Sequence, residues 1–355
     1  MNRRGRYTMR DVARLAGVSV ATVSAVINGT ANVSAARAES VRAAMTALDY
    51  QPDQVARSLK VGRTGAIGMV IPDITNAFFP DVVRGVEDAA RVAGYSVMLC
   101  NSNEDPAREQ RHLSTLFSRR VDGVIISCCD VSAAYESLVR RRFPIVFVDR
   151  VPQALKVAAV TTDNIDAGYR ATRHLIELGH ERIAMITGDL RLSPHADRLE
   201  GFRRAMQERH LPVRDEYLRA GDLQTGTGYT CGRELLSLAV RPTALISSNN
   251  KMLLGLMRAI AEMDLACPGE ISVVGFDDNV WTENFTPKLT TIAQPTYEMG
   301  KRAMELLLSR MNAGPEETAA VEPIRLTAEL RVRESTMPLG SFAGTRPASA
   351  SLVSR

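Results

Sequence analysis

The sequence predicts an α/β protein of two similar lobes standing behind a small N-terminal helix-turn-helix headpiece. Three observations predict it. Residues 8–29, T-M-R-D-V-A-R-L-A-G-V-S-V-A-T-V-S-A-V-I-N-G, read as two short helices joined by a tight glycine turn. From Ala66 onward, short β-branched runs alternate with amphipathic helices, the pattern of βαβ units around parallel sheets. Ten such strands suit two lobes better than one large sheet.

The elements follow in order. Thr8 and Asp11 have the spacing of a capping box, so a first helix runs from Met9 to Ala16 with Val12, Leu15 and Ala16 on its apolar face. Gly17 and Val18 turn the chain, and Ser19 caps a second helix that stops at Asn28-Gly29. So short a glycine turn suits a DNA-reading helix-turn-helix, with a purely structural hairpin as the alternative. A third helix runs from its cap Ser34 to about Leu48, with Val41, Ala44, Met45 and Leu48 together. Pro52 then starts a two-turn helix carrying Val55, Ala56 and Leu59 on one side. It is too short to stand alone in water and should order only against a partner.

Strands are expected at Ile67–Pro72, Ser96–Cys100, Gly123–Ser127, Ile145–Asp149 and Ala158–Thr162. A second set is expected at Ile183–Thr187, Tyr217–Ala220, Ala244–Ser248, Ile271–Gly275 and Leu289–Ala293. Helices between them include Phe79–Ala93, Asp166–Leu178 and Lys251–Met263. Residues 337–355 lack periodicity and read as a disordered tail without leucine heptads.

Charge sharpens the reading. Residues 1–63 carry ten Lys and Arg against four acids, while the rest of the 355-residue chain carries 34 against 36. The whole-chain charge of +4 thus conceals a basic head on a near-neutral body, as a phosphate-binding module requires. A hydrophobic fraction of 45% with 24% charged residues is that of an ordinary soluble protein. No apolar run reaches the roughly 18 residues that span a membrane. The basic N-terminus has no apolar segment behind it and is not a signal peptide. The five cysteines lack metal-ligand spacing, and reduced thiols in the cytoplasm are expected, with Cys128-Cys129 at a strand end.

Several ordered landmarks resemble the LacI/GalR family of bacterial transcriptional regulators over residues 8 to about 335. They are D-V-A-R-L-A-G-V-S (Asp11–Ser19), T-V-S-A-V-I-N-G (Thr22–Gly29), Y-Q-P-D-Q-V-A-R-S-L-K (Tyr50–Lys60) and I-G-M-V-I-P-D-I-T-N-A-F-F (Ile67–Phe79). Further on stand R-V-D-G-V-I-I (Arg120–Ile126), S-V-V-G-F-D-D (Ser272–Asp278) and L-T-T-I-A-Q-P (Leu289–Pro295). The resemblance implies a headpiece at 1–50, a hinge helix and linker at 51–64, and an effector-binding and dimerisation core at 65–336. That core is periplasmic-binding-protein-like, two Rossmann-like subdomains linked by three crossovers near Thr162, Ala293 and Pro323. The N-subdomain is expected at about 65–161 and 295–323, the C-subdomain at about 162–292 and 324–336.

By the same resemblance, Val20, Ala21 and Ala25 face DNA bases, while Thr22, Ser24 and Asn28 hold phosphates, which fix register without reading sequence. Ala25 stands where the family usually has Arg, so a methyl group replaces a fork that grips guanine. Leu59 matches the family's minor-groove wedge, with Ala56 beside it and Lys60 near phosphate. The implied pocket takes Asn76, Phe78, Phe79, Asp149 and Arg150 from one lobe. Arg198, Leu223, Asn249, Asp277 and Gln294 complete it, as in ribose-type sugar-binding proteins. All follow strand ends, where open α/β sheets bind ligands. Leu223 stands where an aromatic is common, and Asn250 replaces the Asp of the family's N-D pair.

An enzyme finds little support. Gly226, Gly228 and Gly232 give G-x-G-x-x-x-G, one residue too long for a dinucleotide fingerprint and on the wrong side of a strand. His112, His174, His180, His195 and His210 form no ligand spacing, and neither a catalytic set, a cofactor nor a metal is expected. The expected partners are double-stranded operator DNA, a small effector such as a pentose, and a second copy of the chain, with no membrane. A purine or phosphorylated sugar is the rival effector. A sugar receptor without a DNA role and an architectural DNA binder without a ligand are the rival functions.

Overall fold

The computed structural model describes residues 7–29, 33–50, 63–129, 135–152, 155–313 and 323–341, with only the backbone of Asn28. The chain forms two compact units, Met1–Gly65 and Ala66–Arg355. The expected hinge helix, with Ala56, Leu59 and Lys60, lies outside the described residues, as do residues 342–355.

In the first unit, α1 (Met9–Ala16), α2 (Val20–Asn28) and α3 (Ala35–Ala47) surround Val12, Ala13, Val23, Val41 and Ala44. The Thr8 backbone N–H donates to the Asp11 carboxylate at 2.9 Å, and Thr22 N–H donates to the Ser19 hydroxyl at 3.1 Å. Gly17 and Gly29, at φ of +65° and +63°, end their helices in the left-handed region that glycine enters without strain. One expectation fails: Leu15 is 56% exposed, and Ala13 takes its core position. An eight-residue helix presents Val12, Ala13 and Ala16 to its neighbours, which leaves Leu15 on the opposite side.

The second unit contains two six-stranded sheets. β1 (Ala66–Ile71) to β5 (Ala159–Thr162) lie in the order β5-β4-β3-β1-β2, with β2 at Ser96–Asn101, β3 at Gly123–Ile126 and β4 at Ile145–Val148. β6 (Ile183–Thr187) to β10 (Thr290–Ala293) repeat the order as β10-β9-β8-β6-β7, with β7 at Leu218–Ala220, β8 at Ala244–Ser247 and β9 at Ser272–Phe276. Each of these neighbouring pairs is parallel. Strands such as Gly123–Ile126 are buried throughout, because helices cover both faces. All ten expected strands are present within a residue or so of their bounds.

Two short strands were missed. β11 (Ile324–Leu326) adds to β5 in parallel, and β12 (Glu329–Arg331) adds to β10 antiparallel. Three residues carry too little pattern to register, and their faces are only half-buried. They place the third crossover between Leu326 and Glu329, a few residues past the expected neighbourhood of Pro323. Ile324–Leu326 therefore belongs to the first lobe, where Ile324 and Leu326 pack on its core. The first crossover follows Thr162, the last residue of β5. The crossovers are tied together: Thr162 Oγ1 donates to Gln294 Oε1 at 2.7 Å, and Asp163 N–H donates to the Leu326 carbonyl at 2.9 Å.

Helix pairs meet almost backbone to backbone. A Cβ on Gly228 would lie 2.2 Å from the Met252 carbonyl oxygen, and one on Gly255 would lie 2.1 Å from that of Thr225. That close approach accounts for Gly228 and Gly255 without any nucleotide. The beginning of the expected disordered tail is also held. Leu339 N–H donates to the Leu178 carbonyl at 2.9 Å, and buried His180 links Thr243, Ser272 and the Met337 carbonyl. The five cysteines are free thiols, and burial pushes Cys128 up to about 12, which suits a packed strand end.

Candidate functional site

Each sheet reverses its strand order once, between β1 and β3 and between β6 and β8. Both switch points open at the carboxyl ends of the strands, where α/β sheets take ligands. There the lobes line a cleft that opens to solvent. All ten residues expected from sequence line it: Asn76, Phe78, Phe79, Asp149, Arg150, Arg198, Leu223, Asn249, Asp277 and Gln294. Pro194 and His195 line it too and had not been expected.

The backbone delivers these side chains at some cost. Asp149, Leu223 and Asp277 have φ of +64°, +69° and +68°, each just past a strand. Aspartate tolerates this region better than leucine, so Leu223 carries backbone strain at the cavity. Phe78 and Phe79 begin the helix Phe78–Val92 and pack edge to face, with ring centroids 5.0 Å apart. They form one apolar wall.

The polar residues are anchored from behind. Arg150 gives both terminal nitrogens to Glu104, at 2.7 and 2.8 Å, and its Nε lies 3.7 Å from the Asp149 carboxylate. Burial works against the Arg150 charge, but Glu104 and the neighbouring acids hold its pKa above the usual guanidinium value. Arg198 donates to Asn164 Oδ1 at 2.8 Å and to the Ser248 carbonyl at 2.5 Å, and its guanidinium sits 4.3 Å from the Phe276 ring centroid. Asp277 accepts from Gln294 Nε2 at 2.6 Å and from Asn250 N–H at 3.3 Å. Asn249 accepts from Met252 N–H, as a helix cap, and donates to the Leu223 carbonyl.

Burial raises the carboxyls of both Asp149 and Asp277. Asp149 is pushed up to about 6, with Arg150 and Arg198 pulling the other way. Burial, then Arg198 and Arg150, depress the His195 imidazole well below its ordinary value, so that ring is neutral. The arrangement presents two carboxylates, two guanidiniums, amides and aromatic faces to one small cavity. It can pair with a compact ligand rich in hydroxyls. Among the described residues, no group of three or more His, Cys, Asp or Glu side chains is placed to hold a metal ion.

Beside the cavity the lobes also touch directly. Lys251 Nζ lies 2.8 Å from Asp73 Oδ2, and Asn250 Nδ2 donates to Asn76 Oδ1 at 2.9 Å. Asn250 thus fills the family's Asp position as an inter-lobe donor. In the adjacent Asp277-Asp278 pair only the first carboxylate faces the cavity. Asp278 instead accepts from Thr291, Arg331 and Arg333, fastening the segment around β12 to the second lobe.

In the headpiece, Val20 (42% exposed) and Ala21 are presented outward at the start of α2, while Val23 turns into the core. Ser24 and Ala25 are half-buried, and Thr22 Oγ1 lies 2.9 Å from the Ser19 hydroxyl. These residues lie on one short helix, the form that enters a major groove.

Comparison with known proteins agrees with both units. Residues 8–53 match the family described as bacterial regulatory proteins, lacI family, and residues 172–336 match a periplasmic binding protein-like domain. The chain is 40% identical to the ribose operon repressor of Escherichia coli (strain K12), over 92% of this chain and 99% of that one. It is 37% identical to the HTH-type transcriptional repressor PurR of Haemophilus influenzae (strain PittEE), over 92% and 98%. Among solved structures, the Lac repressor dimer bound to operator and the anti-inducer ONPF aligns with a TM-score of 0.84 at 29% identity, covering 94% of this chain and 100% of that one. A LacI family transcriptional regulator from Enterococcus faecium with bound ribose aligns at 0.68 and 34%, covering 77% and 99%. The chain belongs to the LacI family of bacterial regulatory proteins.

Proposed function

We propose that this chain is a cytoplasmic, homodimeric transcriptional repressor that reads a twofold operator through α2 and is released by a monosaccharide bound between its lobes. Two identical headpieces suit two half-sites, which is the reason to expect a dimer. The observation that carries the effector reading is the cleft where Asp149 and Arg150 of one lobe and Arg198 and Asp277 of the other line the same space. A pentose such as ribose suits its balance of donors and acceptors. A phosphorylated sugar fits less well, because Glu104 already consumes the Arg150 fork and two carboxylates face inward. A purine would want a flat surface opposite the phenylalanines, where Leu223 stands.

Coupling needs only that the sugar bind one lobe arrangement more tightly than the other. The test is an electrophoretic shift of an operator selected from random DNA, with ribose, other pentoses, hexoses and hypoxanthine added in turn. Release by a neutral sugar is expected. Tighter binding with hypoxanthine and none of these sugars active would overturn the reading in favour of a co-repressed purine sensor.

Two further results are expected. A hydroxyl donates to the carboxylate form of Asp149, so protonation removes an acceptor. With Asp149 at about 6, sugar affinity should be full above that pH and fall below it, by up to roughly tenfold per unit. Calorimetry between pH 5 and 8 checks this, and a flat profile would remove Asp149 from the ligand set. In the headpiece, Ala25→Arg should add a guanine contact and shift the preferred base at one operator position by about 1–3 kcal/mol. Selection from random DNA with both proteins reads it, and an identical consensus would refute the assignment of Ala25.

A further inference from the structure

We infer that His195 sets effector specificity in the second lobe, its imidazole Nε2 pairing with one hydroxyl of the bound sugar. The inference rests on the sugar-binding reading of the cavity and adds a ligand contact to it. His195 stands in the first turn of the helix Ser193–Glu208, three residues after its N-cap Leu192. The residue is 4% exposed and lines the cavity. Its Nδ1 lies 3.2 Å from the Ser248 hydroxyl, which fixes the ring plane. Nε2 makes no hydrogen bond to the described residues, yet it is not enclosed among the buried atoms that lack partners. It therefore has access to the cavity.

The ring has a definite neighbour. A Cβ placed on Gly188 would meet Leu223 Cδ2 at 2.3 Å and His195 Cδ2 at 2.8 Å, so the two side chains converge on the same spot. Together they form the wall where the family commonly has one aromatic ring. Leucine supplies apolar contact there, and the adjacent imidazole supplies a polar edge. Burial and the nearby Arg198 and Arg150 keep this ring neutral. A neutral imidazole offers either a donor or an acceptor at Nε2, depending on which way the Ser248 hydroxyl points. A sugar hydroxyl is both donor and acceptor and pairs with either tautomer. An anionic group gains no charge assistance from it.

The experiment is calorimetric titration of the full chain with ribose and with 2-deoxy-, 3-deoxy- and 5-deoxyribose. It is repeated on His195→Ala and on His195→Gln, whose amide reaches the position of Nε2. Wild type should bind ribose and lose about tenfold with the analogue lacking the partnered hydroxyl. His195→Ala should bind ribose about tenfold more weakly and no longer distinguish that one analogue, while the other two penalties persist. His195→Gln should retain the discrimination, and serves alone if the alanine variant fails to fold, because an unchanged preference there with weakened ribose binding still reports the contact. Equal penalties for all three analogues in wild type and His195→Ala, or loss of every penalty at once in His195→Gln, would overturn the role of His195 and leave the sugar reading standing. No heat from wild type with ribose or any other neutral pentose or hexose would overturn both.

Discussion

Glu104→Ala is expected to cost the core about 3 kcal/mol and to abolish sugar binding, although Glu104 does not line the cavity. The side chains of the pair are 5% exposed for Arg150 and 27% for Glu104, and the contact is bidentate. Removing the acid leaves a buried guanidinium with a carbonyl at 3.5 Å and the Asp149 carboxylate at 3.7 Å as its nearest partners. A buried charge stripped of its partner is destabilising by several kcal/mol, and the melting temperature of the core should fall by roughly 6–12 °C. Arg150 would then turn onto Asp149, and both would be lost to the ligand. Glu104→Gln retains one acceptor and should fall between wild type and alanine on both measures. An alanine variant that melts with wild type and binds ribose normally would show that Arg150 is held by the strand end alone.

Glu104 also shows where sequence reading runs out. It lies in the turn after β2, 46 residues before Arg150, and no local pattern joins the two. The left-handed backbone at Asn103 and Glu104, φ of +58° and +57°, is a sign of constraint that only coordinates reveal. His195 stands in the sequence as an isolated histidine with no ligand spacing to the others. What matters is its place at a helix start three residues before Arg198, in a turn that faces the cavity.

The parts that were legible share a physical cause. Buried parallel strands must be apolar through their length, so β1, β3, β4 and β6 stand out as unbroken runs, and the residues after them fall at the ligand end of the sheet. Asn76, Asp149, Asn249 and Asp277 came from the family resemblance, and their place after strand ends agrees with it. β11 and β12 were not, because three half-buried residues have neither a run nor an alternation. Leu15 was misplaced because apolar character alone does not distinguish the core face of a two-turn helix from its exposed side. For Ala25 the sequence shows a departure from the family without indicating which base replaces the lost contact.

Asp277→Ala is expected to weaken ribose binding by about 10- to 150-fold and to raise the sugar concentration needed for operator release in proportion. Its carboxylate holds Gln294 Nε2 at 2.6 Å and Asn250 N–H at 3.3 Å, and it is a counter-charge for Arg198. Truncation therefore removes an acceptor for sugar hydroxyls and leaves Arg198 less well balanced. The loss of a hydrogen-bonded partner to a charged group is typically about 1.5–3 kcal/mol, which gives the stated range. Asp277→Asn keeps an acceptor for Gln294 without the charge and should lose less. A second signature separates this from a general loss of structure. Asp277 is one of the like charges that hold Asp149 up at about 6. With Asp277 gone, Asp149 should ionise more readily, and the acid side of the affinity profile should move to lower pH. Weak binding with an unmoved pH profile would mean that Asp277 acts only by holding Gln294 and the crossover, whereas ribose affinity equal to wild type would remove it from the ligand set.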